Sequence, residues 1–156
     1  MDILDEEILG LWKSFAKYKL QYILVGGFAT NLNGFARTTA DMDIWILDNP
    51  DNRKRLRLAL EGIGLGDMQA VEGMEFVPGW TSISLLSGYQ LDVMTHMKGL
   101  PQVLFEECYK SSPQAEIHGI VIRFLHINHL IEAKKASGRS KDLIDVEELE
   151  KIRNPK

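Results

Sequence analysis

The sequence contains little cysteine and no long apolar run. Its single cysteine, Cys108, cannot form an intramolecular disulfide, which excludes the small disulfide-stabilised secreted domains. No apolar stretch approaches the roughly 20 residues that a helix needs to cross a bilayer. Residues 1–5 have neither the basic start nor the apolar centre of a signal peptide. We therefore expect a cytoplasmic protein with no membrane partner.

Basic residues are also scarce relative to acidic ones. There are 18 lysines and arginines against 22 aspartates and glutamates, which gives a formal net charge of −4 at pH 7. Proteins that bind long nucleic acids use a basic face that displaces counterions from the phosphates. We expect no long nucleic acid as a partner, whereas a short RNA end at a local basic patch stays compatible with this composition.

Familiar nucleotide-binding and nucleophile motifs are absent. The chain has no Walker phosphate loop, no dinucleotide fingerprint, no nucleophile elbow and no internal repeat. Its 156 residues, 45% of them hydrophobic and 26% charged, are enough to bury one core. We expect a single domain over residues 1–156.

The most informative stretch begins with an apolar run and a glycine pair. Tyr22–Val25 predicts a buried strand, and Gly26-Gly27 follows it directly. A short helix over 28–33, ended by Gly34, would point its first N–H groups at any anion near the glycines. A plain turn is the alternative, because paired glycines occur in many loops.

Asp41 and Asp43 open a second apolar strand, predicted over 41–47. Residues two apart on a strand share a face and lie roughly 6.6 Å apart, so these carboxylates could bracket two divalent ions about 4 Å apart. Magnesium prefers such oxygen ligands, and manganese is a second candidate. A solvated edge strand is the alternative, although the apolar residues 44–47 disfavour it.

Asp92 is an isolated charge in an otherwise apolar strand, predicted over 89–95 as one arm of a hairpin with 82–86. Burying such a charge is costly unless it meets a cation or a hydrogen-bonding partner. Beside the strand of Asp43 it would become a third carboxylate, able to accept a proton from an attacking hydroxyl. An outward-facing aspartate on a solvated side of the sheet is the alternative.

Hydrophobic periodicity and capping residues predict the remaining elements. A first helix, capped by Asp2 or Asp5, follows from apolar residues at helical spacing: Leu4, Ile8, Leu11, Trp12 and Phe15. A helix from Pro50 would carry a basic outer face that is solvated or, alternatively, handles phosphates: Arg53, Lys54, Arg55 and Arg57. Downstream we expect a strand over 72–77, a short helix over 101–110, a hairpin over 115–125, and two closing helices that meet near Gly138.

Taken together, the glycine pair, Arg37-Thr38, Asp41-Met42-Asp43-Ile44 and the later Asp92 resemble the polymerase-beta-like nucleotidyltransferase superfamily. Within it, the chain looks most like small bacterial nucleotidyltransferases of the abortive-infection toxin type and short lincosamide nucleotidyltransferases. The segment from Lys134 to Asp145 is similar to the closing helical motif of such proteins. The resemblance implies an α+β fold in which a small mixed β-sheet is flanked by helices, with the site at the mouth of the sheet.

The resemblance also implies a reaction, in which a nucleoside monophosphate moves from an NTP such as ATP to a hydroxyl acceptor and pyrophosphate leaves. Asp41, Asp43 and Asp92 would be the catalytic residues and would hold two magnesium ions. The acceptor, a small molecule, a protein or an RNA end, is left open. A nucleotide-binding regulatory module and a toxin-antitoxin interaction protein without catalysis are the alternatives.

Nucleotide-binding residues are implied in the same way: Gly26, Gly27, Arg37, Thr38, Lys134 and Lys141. The commoner glycine-serine pair of the superfamily is glycine-glycine here, so a serine hydroxyl for the phosphates is missing. For Arg37 the alternative is an ion pair with Asp41 or Asp43, because arginine suits carboxylates and phosphates alike. For the lysines it is a solvated basic surface.

Overall fold

The computed structural model describes residues 5–77 and 79–155. Asp2 and Leu4, expected in the first helix, lie outside the described residues. The elements in chain order are α1 (Glu6–Lys17), β1 (Tyr22–Val25), α2 (Gly26–Leu32), β2 (Asp41–Ile46), α3 (Pro50–Gly62), α4 (Ala70–Gly73), β3 (Trp80–Ser84), β4 (Gln90–Met94), a 3₁₀ turn (Gln102–Leu104), α5 (Phe105–Ser111), β5 (Gln114–Ile117), β6 (Ile120–Arg123), α6 (Ile127–Ser137) and α7 (Ser140–Arg153). None of the helices in these ranges is long and apolar enough to cross a bilayer.

Four strands form a mixed sheet in the order β1-β2-β4-β3. The central pair, β2 and β4, is parallel, and each edge strand is antiparallel to its neighbour. Strands β5 and β6 form a separate hairpin that contacts β1 through a bridge between Leu24 and Phe124. The expected α+β fold with a small mixed sheet is confirmed.

One face of the sheet is buried and the other carries polar residues. The buried face presents apolar side chains that are at most 5% exposed: Met42, Ile44, Ile83, Leu91 and Val93. Because successive strand residues alternate between faces, the neighbours of these residues project together on the opposite side. We call that side the open face. It carries Asp41, Asp43 and Asp92.

Three local predictions are wrong, and the third concerns Arg53. Residues 74–77 form no strand, and α2 begins at Gly26 instead of residue 28. The first error follows from Arg53, which donates to the carbonyls of Val71 at 3.0 Å and Met74 at 2.7 Å and lies over the Phe76 ring. These carbonyls therefore hydrogen-bond a side chain, not a neighbouring strand. Arg53 is only 7% exposed, so it does not belong to a solvated basic face.

Candidate active site

The register of the sheet brings the predicted carboxylates together. Asp43 on β2 lies directly opposite Asp92 on β4, and Asp92 lies opposite Ser82 on β3. Asp41 lies two residues before Asp43 on the same face of β2, opposite Gln90. The condition for a third carboxylate, that the strand of Asp92 neighbours that of Asp43, is therefore met, and three carboxylates share the open face.

The open face is ordered in three rows that run across β2, β4 and β3. The first row is apolar, the second contains two carboxylates and a hydroxyl, and the third is polar. In strand order the rows are Trp45, Met94 and Trp80; Asp43, Asp92 and Ser82; and Asp41, Gln90 and Ser84. Asp43 and Asp92 thus lie between an apolar row of aromatic and thioether groups and a polar row of carboxylate, amide and hydroxyl groups.

Crowding of negative charge dominates the electrostatics of this face. Burial raises the pKa of Asp43 to about 7, and the charge and hydrogen-bonding proximity of Asp92 and the charge of Asp41 act in the same direction. The opposing effect of Lys134 is smaller. Asp92 Oδ1 accepts a 2.7 Å hydrogen bond from Ser82 Oγ. The carboxylates at the centre therefore repel one another.

This donor set suits a hard divalent cation. Carboxylate oxygens are the ligands that magnesium prefers, and a cation between Asp43 and its neighbours would remove the repulsion that raises the pKa of Asp43. In residues 5–77 and 79–155 no three His, Cys, Asp or Glu side chains already have the arrangement of a formed metal site. Shared binding of an ion would therefore require these carboxylates to rotate.

Gly26 and Gly27 allow the end of β1 to approach this cluster closely. Gly26 has a φ of +63°, and a Cβ at this position would lie 2.0 Å from Asp43 Oδ2. A Cβ on Gly27 would lie 2.5 Å from Thr39 Oγ1. A larger residue at either position would force Asp43 or Thr39, whose side chains line the cleft, to move.

Gly26→Ala is expected to destabilise the protein by about 2 kcal/mol, because the left-handed backbone and the overlap with Asp43 both oppose a Cβ. Gly10→Ala is the matched control. Gly10 lies within α1, and a Cβ there would have no neighbouring atom within 4 Å, so alanine should stabilise by about 0.5–1 kcal/mol. Urea unfolding of both variants measures this, and a similar change in both would contradict the steric argument.

A cleft of about 680 Å³ opens over the carboxylates. Eight of the nine predicted site residues line it: Gly26, Gly27, Arg37, Asp41, Asp43, Asp92, Lys134 and Lys141. The exception is Thr38, which is exposed and outside the lining, and whose carbonyl accepts a hydrogen bond from Arg37. The next residue, Thr39, is buried and lines the cleft, since alternation in this extended segment turns Thr38 outward.

Arg37 and Lys134 converge on one buried carboxylate of α7. Asp145, which is 1% exposed, lies 3.0 Å from Arg37 Nε and 2.8 Å from Lys134 Nζ. Lys134 also lies 3.4 Å from Asp142, which Arg139 and Ser137 contact as well. The ion pair of Arg37 is thus with Asp145, not with Asp41 or Asp43. This ion network joins the loop before β2 to α6 and α7. Its members are Arg37, Lys134, Ser137, Arg139, Asp142 and Asp145.

The ion network leaves limited free positive charge at this end of the cleft. Its three cations, Arg37, Lys134 and Arg139, face two carboxylates. Although burial opposes it, hydrogen bonds from Ser137 and Arg139 and the charge of Lys134 lower the pKa of Asp142. Lys141 lines the cleft and, among the described residues, has no carboxylate partner.

Sequence reasoning did not identify three contributors to the site region. Thr39 and Lys98 line the cleft, and Ser82 hydrogen-bonds Asp92. Of these, Ser82 could have been found from the alternation along β3, because residues two apart share a face. Lys98 lies in a segment without a motif, so only the folded chain brings it to the cleft. Trp80, which the sequence indicates as a core or site-wall residue, lines the cleft as well.

The sequence of the chain matches the model of a known protein family. The model of the family described as "Nucleotidyltransferase of unknown function (DUF6036)" matches residues 1–154. The chain belongs to this nucleotidyltransferase family. Its resemblance to nucleotidyltransferases, inferred from the glycine pair and the three aspartates, is confirmed at this level.

Solved structures of nucleotidyltransferase-like proteins share the fold. An antigenic nucleotidyltransferase-like protein from Paracoccidioides brasiliensis aligns over 94% of this chain and 72% of its own, with 15% identity and a TM-score of 0.52. A protein described as a nucleotidyltransferase from Thermotoga maritima aligns over 96% and 91%, with 12% identity and a TM-score of 0.52. At these identities the likeness concerns the fold alone. No curated protein sequence matches this family member.

Proposed function

We propose that this nucleotidyltransferase moves a nucleoside monophosphate from an NTP to a hydroxyl acceptor, with Mg²⁺ bound and pyrophosphate released. The observation that carries the proposal is the register of β2 and β4, which sets Asp43 opposite Asp92 with Asp41 on the same face, all three lining one cleft. Family membership supports the transferase chemistry in general.

Residues on the β1 side of the carboxylates would hold the triphosphate. The N–H groups of Gly26 and Gly27 can approach a phosphate closely because neither residue carries a side chain. Lys141 offers a cation without a carboxylate partner in the described chain, while Arg37 and Lys134 would add charge from the ion network. Together they would neutralise the charge that develops on departing pyrophosphate.

The carboxylates would act on the other reacting groups. Asp41 and Asp43 would bind the metal, which when present supplies charge stabilisation and alignment for an in-line displacement. Asp92 would help to bind it and would accept the proton of the attacking hydroxyl. Ser82 would hold Asp92 Oδ1, leaving the other oxygen for the acceptor.

Calorimetric titration of ATP, GTP, CTP and UTP into the wild-type protein, with magnesium or with a chelator, tests the binding step. We expect magnesium-dependent binding of at least one nucleotide. Asp92→Asn should lose transfer, measured as release of labelled pyrophosphate, because it removes the proton acceptor, and it should weaken the magnesium-dependent affinity less than Asp43→Asn does, since Asp92 only assists in binding the metal. Absence of nucleotide binding in wild type would contradict the proposal, as would unchanged turnover of Asp92→Asn.

A further inference from the structure

Trp80 is a large aromatic side chain that the hydrophobic core does not use. It lies at the start of the edge strand β3, is 46% exposed and lines the cleft, whereas Trp12 and Trp45 are 0% exposed. An exposed indole in the wall of a cleft is the type of group that binds flat molecules by stacking. The edge position itself gives no packing reason for a residue of this size.

Neighbouring groups hold this part of the wall in place. Thr95 N–H donates to the carbonyl of Gly79 at 2.9 Å, which fixes the start of β3 against the end of β4. A Cβ on Gly79 would lie 2.5 Å from the ring of His96, so glycine lets this ring pack against the backbone beside Trp80. Met94, opposite Trp80, continues the surface with a flexible thioether. We call Trp80, Met94 and His96 the β3-side wall.

The order of the strands indicates which substrate reaches this wall. Gly26 and Gly27 follow β1, on one side of Asp43, and Trp80 lies on β3, beyond Asp92, because the strand order is β1-β2-β4-β3. In phosphoryl transfer the attacking and leaving oxygens are roughly in line through phosphorus. If pyrophosphate leaves toward the β1 side, the acceptor hydroxyl must approach from the β3 side.

Charge restricts the kind of acceptor. The carboxylates that line the cleft are Asp41, Asp43, Asp92 and Asp142. The first three surround the reacting centre, and Asp142 is held by the ion network. The β3-side wall itself contributes no carboxylate, and Lys98, two residues after His96, adds a cation to the lining of the cleft. A polycationic acceptor on this wall would meet no matching negative charge there, which is unfavourable.

We propose that the β3-side wall is the acceptor subsite and that it takes a hydroxyl-bearing molecule with a flat unsaturated ring and no net positive charge, stacked on Trp80. This inference rests on the proposed function, since it assigns the second substrate of the same site. In the transfer, the acceptor oxygen forms a bond to the α-phosphorus, the bond from that phosphorus to pyrophosphate breaks, and the acceptor proton passes to Asp92.

Binding of three probes to wild type tests the subsite separately from nucleotide transfer. The probes are N-acetyltyrosinamide (neutral and aromatic), 4-hydroxyphenylacetate (anionic and aromatic) and kanamycin (polycationic, with hydroxyls and no aromatic ring). Ligand-observed NMR, with magnesium and a non-hydrolysable ATP analogue present, gives each Kd. We expect both aromatic probes to bind and kanamycin to bind more weakly. Preference for kanamycin, or failure of both aromatic probes to bind, would overturn the proposal.

Variants at position 80 locate the bound ring. Trp80→Ala should raise the Kd of the aromatic probes about 10-fold, as expected for loss of one aromatic stack, and Trp80→Phe should restore most of the affinity. The Kd for Mg-NTP should change less than about 2-fold in either variant. Leu86→Ala, at another exposed apolar site, is the control. A weakened NTP affinity in Trp80→Ala would instead place the nucleobase on the indole and refute the assignment.

These measurements distinguish failure of the inference from failure of the proposed function. If wild type binds no nucleotide, the proposed function fails whatever the aromatic probes do. If nucleotide binds with magnesium and position 80 affects neither probe, only the acceptor subsite is wrong.

Discussion

Asp43→Asn is expected to reduce nucleotidyl transfer by more than about 100-fold. Loss of a residue that merely supports a metal ligand typically costs 10- to 100-fold, and Asp43 would itself be a ligand, central among three carboxylates. The measurement is turnover with labelled NTP at saturating magnesium, together with magnesium-dependent NTP affinity by calorimetry. Both should fall.

The same substitution should stabilise the protein in the absence of metal at pH 8. Asparagine has a similar shape and no charge, so it removes the repulsion from Asp92 and Asp41. Glu116→Gln makes the same chemical change on the exposed hairpin and should alter neither stability nor turnover. Thermal unfolding in a chelator checks this. A destabilised Asp43→Asn that retains full turnover would contradict both the electrostatic description and the assigned role.

The stability difference between wild type and Asp43→Asn should depend on pH in a defined direction. The pKa of Asp43 is raised from 3.8 to about 7 in the folded protein, so the folded state binds a proton that the unfolded state has released. The contribution of Asp43 to the free energy of unfolding of the wild-type protein therefore falls as pH rises from about 4 to about 7. The advantage of Asp43→Asn should be largest at pH 8 and disappear near pH 4, as measured by chemical unfolding in a chelator. An advantage independent of pH would indicate a packing effect instead.

The sequence was sufficient to predict which carboxylates share the open face. Asp41 and Asp43 are two residues apart on an apolar strand, so alternation puts both on the same face of the sheet. Asp92 is an isolated charge in a later apolar strand, and the cost of burying it unpaired favoured a place beside Asp43. That β4 lies beside β2 was a condition of this prediction, which the sheet meets, whereas the parallel direction of the pair was not predicted. These features were accessible because backbone periodicity, which is local, controls them.

Features that depend on long-range side-chain contacts were not accessible. Arg53 was assigned to a solvated basic face, yet it is buried because backbone carbonyls of Val71 and Met74, about twenty positions away, accept its hydrogen bonds. Arg37 was considered a partner of Asp41 or Asp43, but its carboxylate partner is Asp145, 108 positions away. No local pattern specifies which distant group a guanidinium will contact.

Asp145→Asn is expected to cost about 3 kcal/mol of unfolding free energy, or roughly 10 °C in the unfolding midpoint. The side chains of Asp145, Lys134 and Arg37 are 2%, 6% and 17% exposed, so removing the shared carboxylate would leave two largely buried cations short of a counter-charge. Water can compensate such charges only weakly when the side chains are buried. Urea unfolding of wild type and the variant measures the loss.

Two comparisons make this expectation specific to the ion network. Glu148→Gln changes a carboxylate on the same helix that pairs with exposed Lys151, and it should cost less than about 1 kcal/mol because solvent screens that pair. In a double-mutant cycle, Lys134→Met should be strongly coupled to Asp145→Asn, by about 1 kcal/mol or more. Equal effects of Asp145→Asn and Glu148→Gln, or additive effects in the cycle, would show that Lys134 and Asp145 do not stabilise each other. A coupled pair would mean that Lys134 of α6, and with it one side of the cleft, is held in place through α7.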